Sequence, residues 1–157
     1  PRIVQPAQAR RSWYIWMFQL RTIAELRLAK DDLALVDRLW RDWSPGYVPS
    51  KQDIDLVKAG IATRIPEVIG YYRALFAPST LLGLSRRLLF ARTRVPALYF
   101  HGEQDGCMGV NLVDGMERHF RAGVSVHRIP GAGHFVHLER PDAVNPVLLD
   151  FLESPRA

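Results

Sequence analysis

Val95-Pro96-Ala97-Leu98-Tyr99-Phe100-His101-Gly102-Glu103-Gln104-Asp105 and, downstream, Ile129-Pro130-Gly131-Ala132-Gly133-His134-Phe135-Val136-His137 are the two stretches that decide the fold. Val95 to Phe100 is uncharged and β-rich, and it reads as a strand buried on both faces. Gly102 and Asp105 follow its carboxyl end. Val124 to Ile129 reads as a second strand, running through Pro130, Gly131 and Gly133 into His134. Open α/β sheets place ligands and chemistry just past the carboxyl ends of their strands. An Asp and a His delivered there can pair so that the carboxylate orients and polarises the imidazole for general-base work. No nucleophile accompanies them: Ser12, Ser44, Ser50, Ser79 and Ser85 all lack the G-x-S-x-G turn.

Around these stretches the chain alternates strand, helix (Asn111 to Phe120), strand and helix (about Asp142 to Leu152, with Pro146 inside). That alternation implies a parallel sheet with crossover helices. Two parallel strands do not make a stable sheet alone, which predicts further strands from a missing N-terminal half. Upstream of about residue 93 the pattern is helical throughout. Gln8 to Leu20 is dense in aromatics, with Trp13, Trp16, Met17 and Leu20 at helical spacing. Asp31 is a plausible N-cap for a helix from Asp32 to Trp43, whose stripe is Leu33, Val36, Leu39, Trp40 and Trp43. Ser44-Pro45-Gly46 breaks it. Ser50 with Asp53 caps a helix to Ala62. Pro66 opens the next helix, which ends near Ala77-Pro78. Leu81 to Phe90 is apolar apart from Arg86 and Arg87.

At 157 residues the chain suits one domain with a real core; 48% of it is hydrophobic and 24% charged, ordinary values for a globular protein. The net charge of +5 comes mostly from scattered Arg, with Lys only at 30, 51 and 58, which argues against a nucleic-acid groove. Cys107 is the single cysteine, so no internal disulfide forms, in keeping with a reducing, cytoplasmic setting. No apolar run approaches the roughly 20 residues of a membrane span. The first residue is Pro1 rather than Met, which suggests a fragment.

The segment V-P-A-L-Y-F-H-G-E-Q-D…P-G-A-G-H-F-V-H-L-E-R-P resembles the C-terminal end of α/β-hydrolase fold proteins. The helical front, R-R-S-W-Y-I-W-M-F-Q-L…W-R-D-W-S-P-G…G-Y-Y-R-A-L-F, resembles the cap of epoxide-hydrolase-like members. The resemblance implies an α/β fold with a helical cap over 1–92 and the C-terminal part of the hydrolase core over 93–157. It also implies Asp105 as triad acid, His134 as triad base, Tyr14 and Tyr72 as cap tyrosines facing the nucleophile, and Phe18 with Trp13 as substrate contacts. The family's Pro-Gly after F-Q is replaced here by Leu20-Arg21-Thr22, and its nucleophile elbow and oxyanion hole do not occur.

Each residue also has a plainer reading. Spacing alone leaves Asp105 equally readable as a turn aspartate, with Glu103 a weaker rival as acid. Helical spacing alone makes Tyr14 and Tyr72 core aromatics, and Tyr71 competes with Tyr72. His101, His119 and His127 have no evident partner, His137 reads as a surface or supporting residue, and Cys107 as an unreactive thiol. No His/Cys/Asp cluster has metal spacing, so neither metal nor cofactor is expected. The expected function is epoxide hydrolysis on a small apolar organic substrate, inactive without the N-terminal half; a homodimer is left open. The alternatives are a serine-dependent ester hydrolase of the same fold, or a non-catalytic or complementing fragment.

Overall fold

The computed structural model describes residues 5–82 and 91–154. Its front is all helix. Pro6 opens α1 (Pro6–Arg11) in the first turn, where its missing N–H is no loss. The aromatic stretch expected as one helix divides at Ser12, and α2 (Trp13–Met17) follows. Beside the break the buried Gln8 side chain donates to Ser12 Oγ (3.0 Å) and to the Cys107 carbonyl (2.9 Å), and accepts from Gly109 N (3.0 Å), tying α1 to the rear of the molecule.

The long α3 (Ile23–Trp43) carries a kink. Lys30 is extended, and Asp31, Asp32 and Leu33 take left-handed conformations with φ of 51°, 53° and 59°. The expected Asp31 N-cap is therefore replaced by a left-handed turn, and the second limb resumes after Leu33. Each such residue costs on the order of 1–2 kcal/mol. The compensation is burial on both limbs, with Leu28 before the kink at 2% and Leu39 after it at 7% exposure. α4 (Lys51–Ala62) starts as expected: Ser50 Oγ accepts from Asp53 N at 3.1 Å. α5 (Ile65–Ala74) carries Pro66 in its first turn, and α6 (Pro78–Leu82) follows. Beyond Leu82, the expectation for Leu81 to Phe90 lies outside the described residues. Arg73 on α5 pairs with Glu25 at 2.6 Å and donates to the Phe18 carbonyl at 2.9 Å, tying α5 to the turn before α3.

The rear holds β1 (Ala97–Gly102) and β2 (Val124–Ile129), parallel and in register from Ala97 opposite Val124 to Gly102 opposite Ile129. The first strand begins two residues later than expected. Pro96 has no N–H to give, and Val95 is exposed. Nor is β1 buried on both faces: only His101 and Gly102 are, because β2 is its one neighbour among the described residues. The crossover expected as a helix over Asn111 to Phe120 is instead two 3-10 turns, Val110–Val113 and Met116–His119, parted by Gly115 at φ 74°. α7 (Val136–Glu139) and α8 (Pro141–Glu153) close the chain, with Pro146 kept inside α8. One cluster of buried side chains joins Tyr14, Phe18, Leu28, Leu39 and Ile69 to Cys107 of the rear; a smaller one packs Ile129, Ala132 and Val144. No helix among the described residues is long and apolar enough to cross a membrane.

Candidate active site

β1 and β2 end side by side, so the loops that leave them meet. Gln104 N bonds the Ala132 carbonyl (2.9 Å) and Glu103 N the Ile129 carbonyl (3.1 Å), which places the acid loop against the glycine-rich loop. Asp105 is 6% exposed. Its Oδ1 accepts from Cys107 N (2.7 Å) and Met108 N (2.8 Å), and its Oδ2 lies 2.9 Å from His134 Nδ1. Two backbone donors thus fix one oxygen and leave the other aimed at the imidazole. Asp105 thus makes the turn bonds with one oxygen while its other oxygen stands beside His134. The Glu103 side chain is exposed.

The end of α3 joins both loops. The last carbonyls of a helix lack intrahelical partners. Here the Trp43 carbonyl accepts from Gly106 N (3.0 Å) and from His134 N (3.1 Å). Ser44, fully buried, donates to Glu139 Oε1 (2.7 Å) and accepts from His134 N (3.0 Å). The Glu139 carboxylate also accepts from Gly133 N (2.7 Å) and Phe135 N (3.0 Å). Three groups, the Trp43 carbonyl, the Ser44 hydroxyl and the Glu139 carboxylate, therefore clasp the His134 loop by its backbone. The approach is close: a Cβ on Gly133 would stand 2.6 Å from Ser44 Cα, and one on Gly106 would overlap the Asp42 carbonyl oxygen. Ser44 and Glu139 escaped the sequence reading. Ser44 looked like part of a helix stop. Glu139, five residues after His134 in H-F-V-H-L-E, had the only usable signal, a carboxylate one helical turn past a glycine-rich loop.

The aromatic residues sort by helix face. Neighbouring residues on a helix point about 100° apart. Tyr14 is buried, its hydroxyl 3.4 Å from Cys107 Sγ, while Trp13 turns outward beneath the Arg38 guanidinium, 4.8 Å from its ring centre. Trp13 does not line either of the two apolar cavities below and packs against the edge of the core cluster instead. Tyr72 turns inward and Tyr71 is exposed. The Tyr14 and Tyr72 rings meet edge-on at 5.6 Å, Phe18 lies 5.1 Å from Tyr72, and Trp43 lies 5.1 Å from both Tyr14 and His134. Burial raises the pKa of both phenols, so they stay protonated donors across the neutral range.

Two apolar cavities flank this cluster. One of about 420 Å³ is lined by Phe18, Trp43, Tyr72, Phe135 and His137; the other, about 540 Å³, by Tyr14, Trp16, Phe76, Cys107 and Met108. His101 is a structural residue, held by the Tyr99 hydroxyl (3.0 Å) and the Met108 carbonyl (3.1 Å). Linear spacing offers no metal cluster, yet the fold brings ligand atoms of Asp105, Cys107 and His134 within 4.8 Å of one another.

Residues 3–147 match the family model described as "Alpha/beta hydrolase family". Epoxide hydrolase 3 of Xenopus tropicalis is 28% identical over 156 residues, covering 95% of this chain and 41% of its own length. Epoxide hydrolase 3 of Mus musculus is 27% identical over 148 residues, covering 92% and 38%. Among solved structures, a mutant of an epoxide hydrolase from Bacillus megaterium superposes with a TM-score of 0.72 at 25% identity, covering 96% of this chain and 54% of that one. A putative epoxide hydrolase from Klebsiella pneumoniae shares the fold, with a TM-score of 0.77 at 18% identity over 94% of this chain and 51% of that one. The chain thus spans about two fifths of the length of these sequence relatives and about half of the solved structures. The parallel strands, the helical front and a match over nearly every residue make this chain a member of the alpha/beta hydrolase family.

Proposed function

We propose that this chain supplies the helical cap and the general base of an epoxide hydrolase. The observation that carries the reading is the 2.9 Å contact between Asp105 Oδ2 and His134 Nδ1, made by a carboxylate whose other oxygen two backbone amides hold. In this reading a nucleophile contributed from outside these 157 residues opens the epoxide and forms an ester. Tyr14 and Tyr72 donate hydrogen bonds to the oxygen that becomes an alkoxide, in a setting dry enough to make such donors effective. His134, held in one tautomer by Asp105, then takes a proton from water, and the hydroxide cleaves the ester. The substrate is small and apolar, because the tyrosines stand between two apolar cavities. The remaining half of the hydrolase is the partner, cap and core divide near residue 93, and the setting is cytoplasmic. No cofactor enters this chemistry.

A serine-dependent ester hydrolase would use the same acid and base but has no need of two phenols side by side. The test uses the protein that carries the nucleophile. Replacing both Tyr14 and Tyr72 by Phe abolishes epoxide opening and spares simple ester cleavage. His134→Gln leaves a covalent ester that mass spectrometry detects as protein plus substrate. Epoxide turnover that survives the double tyrosine change, or turnover by these 157 residues alone, overturns the assignment.

A further inference from the structure

We propose that Asp105, Cys107 and His134 form a binding site for a thiophilic divalent cation of the zinc class. Their ligand atoms already lie within 4.8 Å of one another. A four-coordinate zinc site holds its ligands roughly 3.2–3.8 Å apart, so closing the set takes about an ångström of side-chain movement. Thiolate, imidazole and carboxylate are the ligand types such ions select. Three protein ligands leave a fourth position for water, the pattern of an open zinc site.

Charge favours the same conclusion. A carboxylate and a thiolate cancel a divalent ion, so the loaded site is neutral where Asp105 and Cys107 are both buried. Outer partners stand in place as well. Asp105 Oδ1 is held by two amides, and the Tyr14 hydroxyl lies 3.4 Å from Cys107 Sγ, where it can donate to a thiolate. The 540 Å³ cavity reaches Cys107 beside Tyr14 and Met108 and provides the entry path.

On binding, the Cys107 thiol releases its proton to solvent. The neutral imidazole keeps its proton but moves it from Nδ1 to Nε2, freeing Nδ1 for the metal. One proton is therefore released per ion, and no oxidant or reductant is needed. Binding does not rest on the hydrolytic reading. If that reading holds, the ion also takes both Asp105 and His134 out of water activation, and zinc acts as an inhibitor that a chelator reverses.

The test is a titration of the 157-residue chain with cobalt(II) in a thiol-free reductant, followed by competition with zinc. The expected result is one equivalent bound, a thiolate-to-cobalt charge-transfer band in the near ultraviolet, and one proton released. Cys107 is the only cysteine, so such a band has one source. Cys107→Ser, checked for fold by circular dichroism, removes the band. His134→Ala and Asp105→Asn each weaken binding by more than the roughly 10–100-fold that loss of an outer partner costs. Absence of the band, zinc affinity that survives Cys107→Ser, or cobalt affinity unmoved by His134→Ala overturns the proposal, whatever becomes of the epoxide assay.

Discussion

Breaking the clasp on the His134 loop is the sharpest perturbation this fold offers. Ser44→Ala removes one oxygen that serves both sides of the interface. The bond from Ser44 Oγ to Glu139 Oε1, at 2.7 Å, is a hydrogen bond to a charged acceptor. The His134 amide keeps a second acceptor, the Trp43 carbonyl at 3.1 Å, so it is not orphaned. The loss is then one charge-assisted bond at a buried position, about 2 kcal/mol. Glu139→Gln goes further. The carboxylate accepts from Gly133 N, Phe135 N and Ser44 Oγ through two oxygens. A glutamine offers one oxygen and turns an amino group toward the remaining donor, so about 3 kcal/mol is expected.

The two changes share the Ser44–Glu139 bond. The double variant should therefore lose less than the sum, with a coupling of about 1 kcal/mol. Equilibrium unfolding in urea reads all three values, provided the slope stays that of the parent. Glu139→Gln within about 0.5 kcal/mol of the parent, the range of an ordinary surface change, would refute the clasp. Strict additivity of the two changes would refute the shared bond even if each alone destabilised.

Gly133→Ala should destabilise by about 1–3 kcal/mol through overpacking, because the new methyl falls 2.6 Å from Ser44 Cα; a thermal melt checks it. The Arg73 hydrogen bond holds the Glu25 carboxyl down to about 2. A depressed folded value means this contribution is present above the unfolded value of about 4.3 and is lost as pH falls through about 2. Arg73→Met should flatten that acid limb in a pH series of unfolding curves. At the other end, burial raises Tyr14, Tyr72 and Tyr99. Raised folded values give stability that is intact below about pH 10 and declines as pH climbs above it. Tyr72→Phe should make that alkaline decline shallower, and an unchanged slope would show that Tyr72 ionises as freely folded as unfolded.

The pairing of Asp105 with His134 was legible because each lies a few residues past a strand, and short range is what periodicity and turn chemistry report. Asp105 and His134 needed only that the two strands run parallel and adjacent. The crossover was misread because amphipathic spacing over Asn111 to Phe120 says nothing about Gly115, whose positive φ splits the segment into two 3-10 turns. The kink at Lys30 to Leu33 was hidden for another reason. No local signal asks a Leu to take φ 59°; the demand comes from the buried stripes on both limbs of α3. Cys107 reads from the sequence as an unreactive thiol because no base is evident for it, and its neighbour Tyr14 comes from a distant part of the chain.

Ser44 shows how such a distant coupling works. A serine before Pro-Gly at a helix end ordinarily satisfies the helix itself. Here the α3 terminus faces inward, and its free groups bond the loop that carries His134 as well as the loop that carries Asp105. Two consequences follow from one helix end. The contact between Asp105 and His134 is set by a third element rather than by the sheet alone. A shift of α3 relative to the sheet must also alter the Asp105–His134 geometry, because the Trp43 carbonyl bonds both loops at once. The helical front and the His134 loop are therefore one mechanical unit, and whatever displaces α3 acts directly on the imidazole.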